Sequence, residues 1–357
     1  MTPFNEPDLG YKPPSELSQN KVRTTSTITR RDFTRSVGAC AGLGLTGCAG
    51  PSNSGIRLKL AHTLNNDHPV HKAMVFMGQK LSELSSGTMS LEIYSNGQLG
   101  SERQLIELLQ IGSLAMTKVS TISMEGFSPV MKLFSIPYLF KDTEHFWRVL
   151  NSDIGQSLLD SLRGVRLQGL GYYSAGSRSF YMTEAPILTP ADLVSKKVRV
   201  LPSRTSIEMV EALGGAATPI SWGELYTALQ QGIVDGAENN PPSYYLSKHY
   251  ETAKYYTLDE HTSVPDLIIM SRRVFDGLSE QQRAWLEEAM SASVIHQRKL
   301  WDAAEKEALS EVAKAGVEII YPDKQPFRDA VAPMKTALAE TELGPLIRKV
   351  EALEEPS

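Results

Sequence analysis

The chain has 357 residues, enough for two or three domains. Its 41% hydrophobic, 22% charged and 8% aromatic content excludes both a disordered chain and a multi-span membrane protein. With 36 basic against 41 acidic side chains the net charge is −5, which excludes a basic nucleic-acid surface, and the two cysteines, Cys40 and Cys48, build neither a disulfide framework nor a cysteine-rich metal site.

Residues 1–26 are polar, carry Pro7, Pro13 and Pro14, and show no apolar period; they read as a disordered leader. Arg30-Arg31-Asp32-Phe33 resembles the signal of twin-arginine export. The uncharged stretch from Ser36 to Gly47 has the length of a signal h-region and is too short to span a bilayer. Leu45-Thr46-Gly47-Cys48 looks like a bacterial lipobox, in which the cysteine is lipidated and becomes the new N-terminus. Residues 1–47 are therefore expected to be leader and signal, and 48–55 a tether. The expected location is the periplasm, with the membrane touched only through a lipid on Cys48. Gly42-Leu43-Gly44-Leu45-Thr46-Gly47 matches the dinucleotide-binding GxGxxG, but it lies inside this signal without the strand and helix that pattern requires. The remaining 310 residues carry 30 basic and 37 acidic side chains, a net of −7. Cys48 is their only cysteine, so an oxidising compartment poses no pairing problem.

Ile56–Ala61 alternates apolar and basic residues and predicts a strand. Ala73, Met77 and Leu81 recur every four residues in a helix over Pro69–Leu84. Met89–Tyr94 is a second strand, Ser101 and Gln104 form a capping-box pattern opening a helix to about Ile111, and 114–119 is strand-like. This β-α-β-α-β run argues for a mostly parallel sheet with helices on its faces. A second run has strands at Leu167–Tyr173 and 178–183, a helix start at Thr189-Pro190-Ala191-Asp192 and a strand at 197–201. It continues with one helix capped by Thr205 and Glu208, and another capped by Ser221 and Glu224 and stopped by Gly232. A short strand at 233–237 then ends in Glu238-Asn239-Asn240-Pro241-Pro242. Residues 264–271 form one more strand and 317–321 a last one. Between them, 279–315 holds no Pro or Gly, and Leu286, Met290, Val294, Trp301 and Val312 keep helical spacing. A helix of that length spans roughly 50 Å, more than one lobe is wide. Two α/β modules predict two lobes with a cleft between them.

No GxSxG elbow, Walker A loop, HExxH or CxxC occurs after Cys48, so nothing points to an enzyme, a metal or a cofactor. His68 and His71, three residues apart, are expected to line a polar site or cap a helix rather than hold a metal. Polar groups do gather where strands end: Arg178 after Gly-Ser, Arg199 between Val198 and Val200, and Asn239 after the strand 233–237. In open α/β folds ligands bind beyond the carboxyl ends of strands. For any one arginine alone, a surface ion pair is the simpler reading.

Tyr94 through Gly100 into Ser101-Glu102-Arg103, Gly112-Ser113-Leu114, Pro137-Tyr138-Leu139-Phe140, Lys197-Val198-Arg199-Val200, Ala217-Thr218-Pro219-Ile220, Glu224-Leu225-Tyr226 and Val234-Asp235-Gly236-Ala237-Glu238-Asn239 together resemble the solute-binding proteins of tripartite ATP-independent periplasmic (TRAP) transporters. The resemblance covers about residues 56–332. It implies the two-lobed periplasmic binding protein fold, an α/β architecture with hinged, mostly parallel sheets and a long helix crossing both lobes. Lobe I is expected over 56–175 plus about 262–300, and lobe II over 176–261 plus about 301–357. An organic acid captured by lobe closure, the small and large TRAP membrane subunits as partners, and an ion gradient in place of ATP hydrolysis are implied with it.

The family's carboxylate-gripping arginine falls on Arg199, a second frequent arginine on Arg178, the cleft asparagine on Asn239 and an aromatic position on Trp222. The chemistry agrees, since a guanidinium's two parallel N–H donors fit a carboxylate. The net −7 is no obstacle, because surface charges beyond about 8 Å are screened at physiological salt. Three further candidates are Lys118 after the strand-like 114–117, Glu238 as an acceptor for sugar hydroxyls, and His68 in the loop after the first strand. A polar cleft with Trp222 as one wall favours a sugar acid, a hexuronate or aldonate. The alternatives are a C4-dicarboxylate, which needs a second cation from Arg178 or Lys118, and a ligand sensor for a signalling partner.

Overall fold

The computed structural model describes residues 55–353. The expected leader, the twin arginines Arg30 and Arg31, the lipobox with Cys48, the tether up to residue 54 and residues 354–357 lie outside the described residues. The chain first lays down β1 (Ile56–Ala61), β2 (Met89–Tyr94), β3 (Met116–Ser120) and β4 (Leu167–Tyr173). It then crosses to a second sheet for β5 (Ser177–Met182), β6 (Lys197–Val200), β7 (Ala216–Pro219), β8 (Gly236–Asn239) and β9 (Tyr255–Ser263). It returns with β10 (Asp266–Ser271), runs through the long helix Glu280–Lys314, and adds β11 (Glu318–Ile320). The strand orders are β2-β1-β3-β10-β4 and β11-β9-β5-β8-β6-β7. The β-α-β units pair parallel, as the sequence predicts. Both sheets are nonetheless mixed, because β10 pairs antiparallel with β3 and β4, and β5 with β8 and β9. Neighbouring strands that carry the chain out to the second lobe and back run in opposite directions.

Each sheet is buried on both faces, and the period of two sorts its side chains. Leu267 and Ile269 of β10 join one core while Ile268 and Met270 join the other. In the second sheet Phe180, Met182, Val198 and Val200 fill one core, and Tyr181 and Ala237 the other. The same alternation turns Arg199, between two buried valines, onto the opposite face of β6, where it is fully buried. The 35-residue helix Glu280–Lys314 serves both lobes: Leu286 and Met290 pack in a first-lobe core and Val312 in a second-lobe core. It also fixes one of the lobe connections. Gln297 accepts from the Ser174 N–H at 2.8 Å and donates to the Ser174 carbonyl at 2.8 Å. Gly176 in that connection has φ +60, and a Cβ there would stand 3.1 Å from Trp301.

The lobes are closed on each other at both lips. On one side Asn65 donates to the Leu246 carbonyl at 2.9 Å and His68 meets the Ser243 hydroxyl at 3.3 Å. On the other, the Thr205 hydroxyl donates to Glu125 at 3.0 Å beside an apolar contact of Ile122, Leu201 and Val264.

Three local expectations are corrected. β8 is Gly236–Asn239 rather than 233–237, because Asp235 is held outside it by bonds to the Lys197 backbone, so Asn239 lies in the strand. The helix Arg204–Ala212 is capped by Ser203, which leaves Thr205 free for Glu125. Ser221 makes no side-chain cap, and a 3-10 turn at Trp222–Glu224 precedes the helix Leu225–Gln230. β9 is a strand the sequence pattern does not announce: its buried Thr257, Asp259, His261 and Thr262 blur the alternation.

Candidate functional site

Between the lobes, beyond the carboxyl ends of β3, β6 and β8, lies a cavity. Its first-lobe wall includes His68, Glu102, Lys118, Ser120 and Asp266, and its second-lobe wall Arg178, Trp222, Asn239 and Ser243. This is the place where open α/β sheets bind ligands. Of the residues singled out from sequence, His68, Lys118, Arg178, Trp222 and Asn239 line it. Arg199 and Glu238 stand directly behind. The Arg199 guanidinium is 5.9 Å from the Trp222 ring centroid, and Glu238 pairs with Arg178.

Arg178 makes hydrogen bonds through all three of its nitrogens. The antiparallel register sets Ser179 opposite Asn239 and Phe180 opposite Glu238. Arg178 then grips the Glu238 carboxylate through Nε and Nη2, the latter at 2.8 Å, and donates to the Glu238 carbonyl at 2.9 Å and to Asn239 Oδ1 at 3.1 Å. Burial pushes the Glu238 carboxyl up, but Arg178 and His261 outweigh it and hold the group at about 2. His261 lies 3.5 Å from Glu238 and 2.8 Å from Asp259; burial pushes its imidazole down, but these carboxylates raise it to about 9. Asn239 Oδ1 also accepts from the Asn240 N–H at 2.9 Å, so its amide NH2 is the group left for the cavity.

Arg199 is the opposite case. Its Nε donates to the Ile220 carbonyl at 2.8 Å, but Nη1 and Nη2 are buried with no hydrogen-bond partner among the described residues. Burial lowers its guanidinium to about 10, against the weaker pull of Tyr181 and Glu238. It stays charged at neutral pH. A buried charge with unused donors is a costly arrangement that an incoming carboxylate corrects.

On the first-lobe wall Lys118 Nζ stands 3.2 Å from Glu102 and 3.2 Å from Asp266. Glu102 also accepts from the Ser120 N–H at 3.2 Å and the Ser123 hydroxyl at 2.6 Å. Burial disfavours the Lys118 ammonium, but Asp266 and Glu102 prevail and raise it above the usual lysine value. Asp266 itself is raised by burial. His68 ends the loop after β1, as expected, and its Nδ1 caps the helix Pro69–Leu84 by accepting from Val70 N–H at 3.3 Å. Burial holds it well below the usual histidine value, so it is neutral. His71 pairs with His62 at 2.9 Å, and no metal-holding cluster occurs among the described residues. Trp222 both lines the cavity and packs at core edges, with His249 at 5.1 Å.

Sequence reasoning missed Glu102, Asp266 and Ser243. A weak signal exists for the first two. Glu102 opens a helix directly after its N-cap Ser101, and Asp266 is an acid directly before the apolar run Leu267-Ile268-Ile269-Met270.

A family model described as bacterial extracellular solute-binding protein, family 7, matches residues 60–342. The protein YiiZ of Salmonella typhimurium is 41% identical over 79% of this chain and 86% of its own length. A TRAP periplasmic solute-binding protein from Xanthobacter autotrophicus, solved with bound β-D-galacturonate, is 38% identical with a TM-score of 0.80 over 83% of this chain and 99% of that one. One from Pseudomonas putida, solved with bound D-glucuronate, is 33% identical with a TM-score of 0.82 over 84% of this chain and 98% of that one.

Proposed function

The chain belongs to family 7 of the bacterial extracellular solute-binding proteins, and from that premise we propose that it is the solute-capturing subunit of a TRAP transporter for a hexuronate. The observation that carries this reading is Arg199, whose two unpartnered NH2 groups point to a carboxylate as the missing partner. The cavity around it offers Asn239, Ser243 and Asp266 for hydroxyls and the Trp222 ring for a sugar face. The hexuronates held by the two structural relatives support the same class. Ligand contacts that exist only when the lobes are shut favour the closed form. That form is the one offered to the small and large membrane subunits. The twin arginines and the Cys48 lipobox support export to the periplasm and a lipid anchor.

The test is a thermal-shift and calorimetric titration of the purified protein with D-galacturonate, D-glucuronate, succinate and malate. A ligand at a hundred times its dissociation constant adds about 2.7 kcal/mol to stability. Stabilisation by a hexuronate is the expected result. Stabilisation by the C4-dicarboxylates alone moves the protein to dicarboxylate capture.

A further inference from the structure

Resting on that reading, we propose that the cleft admits acids with one carboxylate and rejects acids with two, and that Asp266 and Glu102 are the rejecting groups. The two walls carry opposite net charge. On the second-lobe side Arg178 and Glu238 cancel in a closed ion pair, and behind them Asp259 cancels the imidazolium of His261, which burial pushes down but its carboxylate neighbours raise to about 9; Arg199 is left as one uncompensated positive charge. On the first-lobe side a single ammonium, Lys118, faces two carboxylates, Glu102 and Asp266, all three less than a tenth exposed. That wall is left with one uncompensated negative charge.

A sugar acid with one carboxylate matches this polarity end for end. Its carboxylate meets Arg199, and its hydroxyls donate to the wall that has acceptors to spare. Asp266 lends one oxygen to Lys118 and keeps the other for such a donor. A second carboxylate finds no free cation there. Arg178 and Lys118 are the two cationic side chains lining the cavity among the described residues, and each is already bonded to a carboxylate. His68 is neutral. The second charge is thus buried beside Asp266 and Glu102. Placing like charges together at a desolvated site is a strong means of excluding a wrong partner. The selection is built into the wall opposite the carboxylate-binding arginine.

The experiment compares three six-carbon acids by calorimetry: D-galacturonate, the acyclic aldonate D-galactonate with one carboxylate, and galactarate, which replaces the terminal CH2OH of galactonate with a second carboxylate. Parent protein, D266N and E102Q are titrated, with melting curves to show that each variant is folded. The parent is expected to bind galactarate about 100-fold more weakly than the hexuronate, or worse. In D266N, with E102Q as the second variant, the ratio of galactarate to galacturonate affinity should rise about tenfold. Tight binding of galactarate by the parent overturns the inference, whatever the hexuronates do. So does an unchanged ratio in both folded variants. Failure of the parent to bind either D-galacturonate or D-glucuronate is a different outcome: it sinks the proposed function, and the inference with it.

Discussion

Arg178 and Arg199 lie in one sheet, on strands that flank β8 from either side, and both are buried. From sequence the family resemblance ranks Arg199 first, but both look available to a ligand carboxylate. In the fold they are opposites. Arg178 has its charge met by Glu238 and its donors spread over Glu238 and Asn239. Arg199 has one backbone carbonyl and no counter-ion among the described residues. The first arrangement holds the sheet and Asn239 in place before any ligand arrives. The second leaves donors unused, which is why the proposed function places the ligand carboxylate there. An arginine therefore reports a binding site less by its position in a motif than by what it lacks.

Removing each charge in turn should affect binding at one arginine and stability at the other. Arg199→Ala should weaken hexuronate binding about a thousandfold, close to 4 kcal/mol, since truncating one side of a desolvated charge pair costs that much. The free protein should melt near the parent temperature, because the truncation strands no counter-ion and leaves only the Ile220 carbonyl without its donor. Calorimetry beside a melting curve separates the two effects. Binding within tenfold of the parent would show that another group takes the carboxylate.

Glu238→Gln tests the other end. It takes away the counter-charge while Arg178 stays buried, and an uncompensated buried charge costs about 3 kcal/mol or more. The unliganded variant should therefore melt well below the parent, the reverse of the Arg199→Ala pattern. A chemical-denaturation curve gives the difference directly. Equal stability of Glu238→Gln and parent would mean that Arg178 finds another partner and that the two arginines are less unlike than their contacts suggest.

Much of this was legible beforehand because it is local. The strand alternation that buries Val198 and Val200 also turns Arg199 to the far face, and 35 residues without Gly or Pro make a long helix unavoidable. What was not legible depends on register between distant segments. Glu238 could be read as a neighbour of Asn239, but not as the counter-ion of a residue sixty positions earlier, which only the β5–β8 pairing decides. Lys118 could be placed near the cleft, but its two carboxylates come from a helix start 16 residues before it and from β10, 148 residues after it. That is why Arg178 and Lys118 both looked available for a second ligand carboxylate. Asp259 and His261 escaped because β9 carries buried polar side chains where a pattern search expects apolar ones.

A pH titration asks whether the Arg178 side is held by charge all the way through. Glu238 is bracketed by Arg178 and His261, and His261 is raised to about 9 in the fold from an ordinary 6.5, through Asp259 and Glu238. A group whose folded value is raised adds stability in full below its unfolded value and loses it as the pH rises through the folded value. The window is therefore pH 6.5 to 9. Across it the melting temperature of the parent should fall by a few degrees, on the order of 2 kcal/mol. His261→Gln, less stable throughout, should show a flatter profile in the same window, so the difference between the two curves isolates this one proton. Arg199 titrates near 10 and adds little to that slope. If the profiles of parent and variant run parallel from pH 6.5 to 9, His261 is neutral in the fold. Arg178 and Glu238 then form an isolated pair rather than the end of a relay reaching to Asp259.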